Sequence, residues 1–396
     1  MKQPLYGQER SILRFLKMSI ISLAAWMLLV TPLWASQDGR AGFAYIPLGK
    51  SHSVAVIDIA TQQLLRTIPG LNNPHGLVIT PDGRRLYATS TKRGPNEMRM
   101  GAGEHHAASS MPSGEAMGKH GMGMGMMRRG MGKHGAGMGM SEKEGMGMVS
   151  GQGSNQVSVI DTTTNAVIAT IDVGGGSHHA AISPDGKWVL VTVPSRGGIA
   201  VIAVATNTLA AFIPTGKIAN YVVVSPDGTR AYVSNKGEDT VSIIDLPAGK
   251  VRATIPVNAG PDHLALSPDG KQLYVTNALA DTLSVIDTAM EKVVATLAVG
   301  EGPHGVDVTP DGARIFVANM GEGTVSAIAA DTGETVTTTR LGLTPQHVAV
   351  TPDGKRVFIN SEEGNGTWVL DPMTTKVQAW IPLAPQPHQI AIFQPK

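Results

Sequence analysis

Apolar residues along this chain come in short bursts rather than in long helical stripes. Leu264–Leu266 is followed by Ser-Pro-Asp-Gly, then by Leu273–Asn277, a polar loop, Leu283–Ile286, a second polar turn and Val293–Leu297. The bursts are rich in Val, Ile, Thr and Tyr, alternate apolar with small or polar positions, and are bounded by Gly, Pro, Asp or Asn. That is the pattern of short, half-buried β-strands joined by tight turns.

The same cycle then repeats. "PDG" begins at Pro81, Pro184, Pro226, Pro268, Pro310 and Pro352, and the last four intervals are each 42 residues. The first interval is 103 residues, one repeat plus an insertion of 61. Each unit holds four strands, here lettered A to D, with PDG between A and B. Four strands per 42 residues predict the blade of a β-propeller. The A strands begin near His75, His179, Tyr221, His263, His304, His347 and His388, which counts seven blades. The C-terminal "HQIAIF" is an A strand with nothing after it, and "AGFAYIPLG", "SVAVIDI" and "LLRTI" at the N-terminal side are B, C and D strands with nothing before them. The two ends are therefore expected to complete one blade, closing an all-β, seven-bladed propeller without open edges. Pro, Asp and Gly in PDG each suit a turn position. The PDG aspartates, and Asp58, Asp161, Asp245, Asp287 and Asp371 after the C strands, are accordingly read as turn residues and not as catalytic carboxylates.

These motifs resemble the YVTN family of β-propeller repeats, whose tetrapeptide stands here at Tyr274–Asn277. The resemblance spans residues 36–396 apart from the insertion and implies the fold. It implies no activity, because propellers carry many.

Composition narrows the chemistry. Lys+Arg 32 against Asp+Glu 31 gives a formal charge of +1, which offers nothing to a nucleic acid or an anionic membrane. Cys is absent, so there is no disulfide, iron–sulfur cluster, c-type haem attachment or thiol nucleophile. Lys2, Arg10, Arg14 and Lys17 precede the apolar run Met18–Ala35, which ends in a small residue before polar "SQDGR". Residues 1–35 therefore read as a signal peptide cleaved near Ala35, with an uncleaved anchor as the alternative, and place the remainder in the periplasm or outside the cell. A propeller that closes on itself is expected to be a monomer or a weak oligomer.

The histidines are the candidate chemistry. His75, His178, His179, His263, His304, His347 and His388 all stand where an A strand begins, at the mouth of the channel an A strand would line. The third blade has Asn220 and Tyr221 there instead, and the second has the pair His178–His179. Two readings fit. Either the repeat copies a histidine for packing, each ring bonding a neighbouring blade, or the imidazoles converge as ligands for copper, zinc, iron or nickel. Convergence needs an irregular strand entrance. Counted back from Pro of PDG, His75, His178 and His304 lie six residues away and His179, His263 and His347 five, positions that face opposite ways on a regular strand. The distribution of these histidines over the blades resembles the propeller domain of nitrous oxide reductase. That resemblance implies a multinuclear copper–sulfide cluster on seven hub imidazoles. This chain lacks that enzyme's cupredoxin domain and the cysteines of its second copper site.

The insertion, residues 92–153 between strands B and C of the first blade, holds 13 of the 19 methionines. His105, His106, His120 and His134 stand among Met122, Met124, Met126, Met127, Met131, Met138, Met140, Met146 and Met148. Its Gly content and lack of an apolar period predict disorder without metal. Thioethers are soft ligands that favour Cu(I), so the segment reads as a copper-capturing arm; silver would bind in the same way. Strand order puts a B–C loop on the face where the A strands begin. Three functions follow: an exported copper-binding, trafficking or storage protein; a periplasmic copper redox enzyme served by an electron donor; or an interaction scaffold with no metal at its hub. No Ser-His-Asp or paired-carboxylate arrangement supports a hydrolase.

Overall fold

The computed structural model describes residues 42–91 and 155–395. They form seven four-stranded antiparallel sheets, each in the order A-B-C-D from the axis outward. The A strands are Pro74–Ile79, Ala180–Ile182, Ala219–Val224, Pro261–Leu266, Pro303–Val308, Pro345–Val350 and Ala391–Phe393. Those of successive blades pack against one another around the axis. The seven-bladed propeller expected from the repeat is thus the observed fold.

Closure also follows the expectation. Ala391–Phe393 pairs with Phe43–Leu48 in the sheet completed by Ser53–Asp58 and Gln63–Pro69. The clasp continues beyond the strand: the Gly49 amide donates to the Gln386 carbonyl at 3.0 Å and the His388 amide to the Pro47 carbonyl at 3.1 Å.

The core lies between blades. Tyr87, Tyr232, Tyr274, Phe316 and Phe358, all in strand B, are among the largest fully buried side chains. They pack with Val and Ile of adjacent blades, as Tyr274 does with Val306, Val308, Ile315 and Val317. The turn aspartates are structural. In each PDG turn the Asp carboxylate accepts from a Ser or Thr hydroxyl two residues earlier, as from Thr80 to Asp82 at 2.6 Å and from Ser267 to Asp269 at 2.7 Å. Asp58, Asp161, Asp245, Asp287 and Asp371 accept backbone amides within their own C–D turns.

Candidate metal centre

The A strands enter the hub irregularly. Register against strand B slips between Pro74 and Leu77, Ala219 and Val222, Pro261 and Leu264, Pro303 and Val306, and Pro345 and Val348. Each slip encloses the two positions at which the histidines occur. A bulge re-aims side chains that a regular strand would send to opposite faces. This lets residues at both offsets turn towards the axis.

The third residue of the YVTN motif holds the bulge. The amides of His179 and His263 donate to the hydroxyls of Thr192 and Thr276 at 2.9 and 3.0 Å, and that of Tyr221 to Ser234 at 3.0 Å. The same hydroxyls reach the next blade: Thr192 donates to the Asn220 carbonyl at 3.0 Å, Ser234 to Asp262 at 2.6 Å and Thr276 to His304 at 2.7 Å. One hydroxyl therefore fixes a hub residue in its own blade and the strand entrance of the neighbour. Glycine in "PHG" has a related cause. A Cβ at Gly76 would collide with the His178 carbonyl, and one at Gly305 with the Gln346 carbonyl.

The seven imidazoles form one continuous cluster. His75 stacks with His388 at 3.4 Å and with His178 at 4.4 Å between ring centroids. His179 lies 4.2 Å from His178, 5.1 Å from His263 and 5.4 Å from His347. His263 lies 4.2 Å from His304, and His347 lies 4.3 Å from His388. Among the described residues three donor sets have all their ligand atoms within 4.8 Å of one another: His75–His179–His388, His179–His263–His347 and Asp262–His263–His304.

The third blade contributes a carbonyl where the others contribute imidazoles. The Asn220 carbonyl accepts from Nδ1 of His178 at 3.2 Å and from Nδ1 of His179 at 3.0 Å. A carbonyl only accepts, so both rings carry their proton on Nδ1 and keep the Nε2 lone pair. Part of the packing alternative is thus real, since these two rings do bond a neighbouring blade, and that bond also sets the tautomer a metal needs. His263 places Nδ1 3.1 Å from Oδ1 of Asp262 and Nε2 3.2 Å from Nδ1 of His347. The buried Nε2 atoms of His179 and His347 and Nδ1 of His388 have no protein hydrogen-bond partner.

Electrostatics keep the rings neutral. Burial pushes His178 down to about 4 and His263 to about 3, against the histidine value of 6.5. Burial, then the neighbouring imidazoles, hold His179, His347 and His388 well below that value. Burial also lowers His304. Neutral imidazoles with unpartnered buried nitrogens are the donor state that transition metals require.

Asp262 is the hub residue that sequence reasoning missed. It occupies the offset of His75, His178 and His304 in the fourth blade and is 2 % exposed. Burial would raise its carboxyl, but Lys236, His304 and His263 hold it well below the usual range. Lys236 Nζ lies 2.5 Å from Oδ2, and Asn220 Nδ2 donates to Oδ1 at 2.6 Å. The signal was available: "PDH" stands where the neighbouring blade reads "PHG".

Residues 92–154 lie outside the described residues, so His105, His106, His120, His134 and the arm methionines have no structural account here. The chain reaches them from Thr91, whose amide donates to the Asn73 carbonyl beside the start of an A strand, at 3.4 Å. The N-terminal segment 1–41 is likewise outside them. Among the described residues no helix is long and apolar enough to cross a membrane.

The family model of YNCE-like β-propellers matches residues 208–314. No curated protein matches the chain. Among solved structures, hydrazine synthase of Kuenenia stuttgartiensis is 18% identical with a TM-score of 0.60, covering 81% of this chain and 92% of that one. A functionally unknown protein of Desulfotomaculum acetoxidans is 14% identical with a TM-score of 0.68, covering 89% and 99%. A putative 6-phosphogluconolactonase of Bacteroides uniformis is 17% identical with a TM-score of 0.65, covering 90% and 100%. At such identities the likeness is one of fold.

Proposed function

We propose that this is an exported copper-binding propeller. Its hub imidazoles hold the metal, and residues 92–153 capture Cu(I) for it. One observation carries the reading: seven histidines from six blades meet at one end of the channel, six of them kept neutral by burial, with buried nitrogens on His179, His347 and His388 that no protein group satisfies. A packing role gives no reason to leave those nitrogens unpaired, since each carries a desolvation penalty of about 1–3 kcal/mol. Copper suits the hub because imidazole binds it and because it leads the divalent affinity order. The thioethers of the insertion favour its reduced form.

When bound, copper supplies a redox centre or a stored ion. The chain's own residues orient the donors. Asn220 fixes the tautomers of His178 and His179, and Thr192 and Thr276 hold the strand entrances. The export segment 1–35 sets the compartment in which a copper-handling protein or electron donor would meet it.

The donor sets overlap, with His179 and His263 each belonging to two of them. Shared donors favour a second reading, a multinuclear redox centre resembling the nitrous oxide reductase propeller. Metal analysis of protein isolated from the periplasm tests the first reading. Copper should co-purify and should fall when His179 and His347 are both replaced by Asn. Unchanged copper in that variant and in a 92–153 deletion would defeat it. Visible absorption bands and turnover with a reduced dye and nitrous oxide would separate the enzyme from the carrier.

A further inference from the structure

The hub is chemically uneven. Three of its A-strand entrances present an imidazole six residues before the PDG proline, at His75, His178 and His304, and the fourth blade presents the carboxylate of Asp262 at that place. We propose that Asp262, His263 and His304 form a separate subsite for a harder divalent cation of the zinc or cobalt(II) class, with Lys236 as its placeholder in the metal-free protein.

Geometry supports a distinct subsite. Asp262 Oδ1 lies 3.1 Å from His263 Nδ1 and 4.0 Å from His304 Nε2, so one small displacement brings three donors around an ion. Two imidazoles and a carboxylate favour borderline and harder divalent ions over Cu(I), unlike the all-nitrogen sets beside them. Asp262 is ionised and 2 % exposed, a state that needs a compensating cation. Lys236 supplies one now. Its ammonium is 2.5 Å from Oδ2, while its side chain, 32% exposed, reaches in from the B–C loop and has room to swing out. A lysine so placed neutralises the carboxylate until a metal displaces it.

His263 joins the subsite to the rest of the hub. In the metal-free protein its Nδ1–H faces Asp262 and its Nε2 lone pair faces His347. Ligation through Nδ1 moves the ring proton to Nε2, which then donates to His347 Nδ1 at 3.2 Å, while the proton of His347 passes from its Nδ1 to its Nε2. No proton leaves the protein. The swap also withdraws His263 from the His179–His263–His347 set, so the two sets compete for one ring. The proposal rests on the copper reading only through that shared residue.

The test titrates metal-free, full-length protein with cobalt(II) chloride, following ligand-field absorption and heat. Wild type should bind Co(II). Asp262→Asn, which keeps the shape and the Asn220 contact region, should weaken that binding at least about tenfold. Lys236→Met should strengthen it several-fold. The 92–153 segment is present in all three proteins, so its background cancels. Equal Co(II) affinity in wild type and Asp262→Asn, or weaker binding in Lys236→Met, overturns the subsite. If Asp262→Asn does not fold, Lys236→Met alone decides. Loss of copper binding with Co(II) retained defeats the copper reading and leaves this one; the reverse result defeats only the subsite.

Discussion

Acidifying the metal-free protein should destabilise it over a pH window that its hub defines. His178 and His263 have folded pKa values near 4 and 3, below the unfolded value of 6.5. Between those limits the unfolded chain binds protons that the fold excludes, so stability is present above 6.5 and is lost as pH falls. At pH 5.5 each such histidine costs about 1.4 kcal/mol, about 3 kcal/mol for the pair. Asp307 acts with the opposite sign. Burial raises its carboxyl to about 6, against the amides of Val350 and Val308 that it accepts, so the fold gains stability as pH drops through that value. Its return at pH 5.5 is about 0.8 kcal/mol, leaving a net loss of about 2 kcal/mol. His179, His304, His347 and His388 are shifted in the same direction as the first pair and add to the loss. Urea unfolding of chelator-treated protein at pH 7.5 and 5.5 measures the effect. With a slope of about 3 kcal/mol per molar urea, the midpoint should fall by at least about 0.7 M. Replacing His178 and His263 together by Asn should flatten the dependence, and Asp307→Asn should steepen it. A midpoint that holds or rises on acidification would refute the neutral, buried hub.

Deleting His388 to Lys396 removes the closing A strand, including buried Ile390 and Ala391, and should lower stability by several kcal/mol in a thermal melt. A melt like that of the full chain would contradict the clasp. Gly76→Ala should cost about 1–3 kcal/mol, because its Cβ meets the His178 carbonyl; Gly176→Ala, with nothing within 4 Å of the new carbon, should be close to neutral in the same assay. Thr276→Val removes the hydroxyl that joins the His263 amide to the His304 carbonyl and should cost about 1–3 kcal/mol in urea unfolding. Its metal affinity should fall as well, since both rings lose their anchor.

Much of the molecule could be read directly from residue order. A 42-residue period with PDG at a constant place determines blade number, because each strand and turn states its own local preference. The unpaired half-blades at the two ends determine closure by simple count, and the ring of histidines follows from their place at the head of each A strand. Tertiary structure alone decided how those rings meet. On a regular strand His304 and His347, at different offsets, would face opposite ways; the register slips after Pro303 and Pro345 turn both inward. A bulge of that kind depends on hydroxyls such as Thr276 and on contact with the next blade, neither of which has a local signature. Asp262 was legible only in part. Its place in "PDH" stands in the sequence, but its burial beside Lys236, His263 and His304 comes from packing between blades. Local pattern reports what each strand prefers. Which side chains share the axis is settled by packing between blades, where distant residues act on one another.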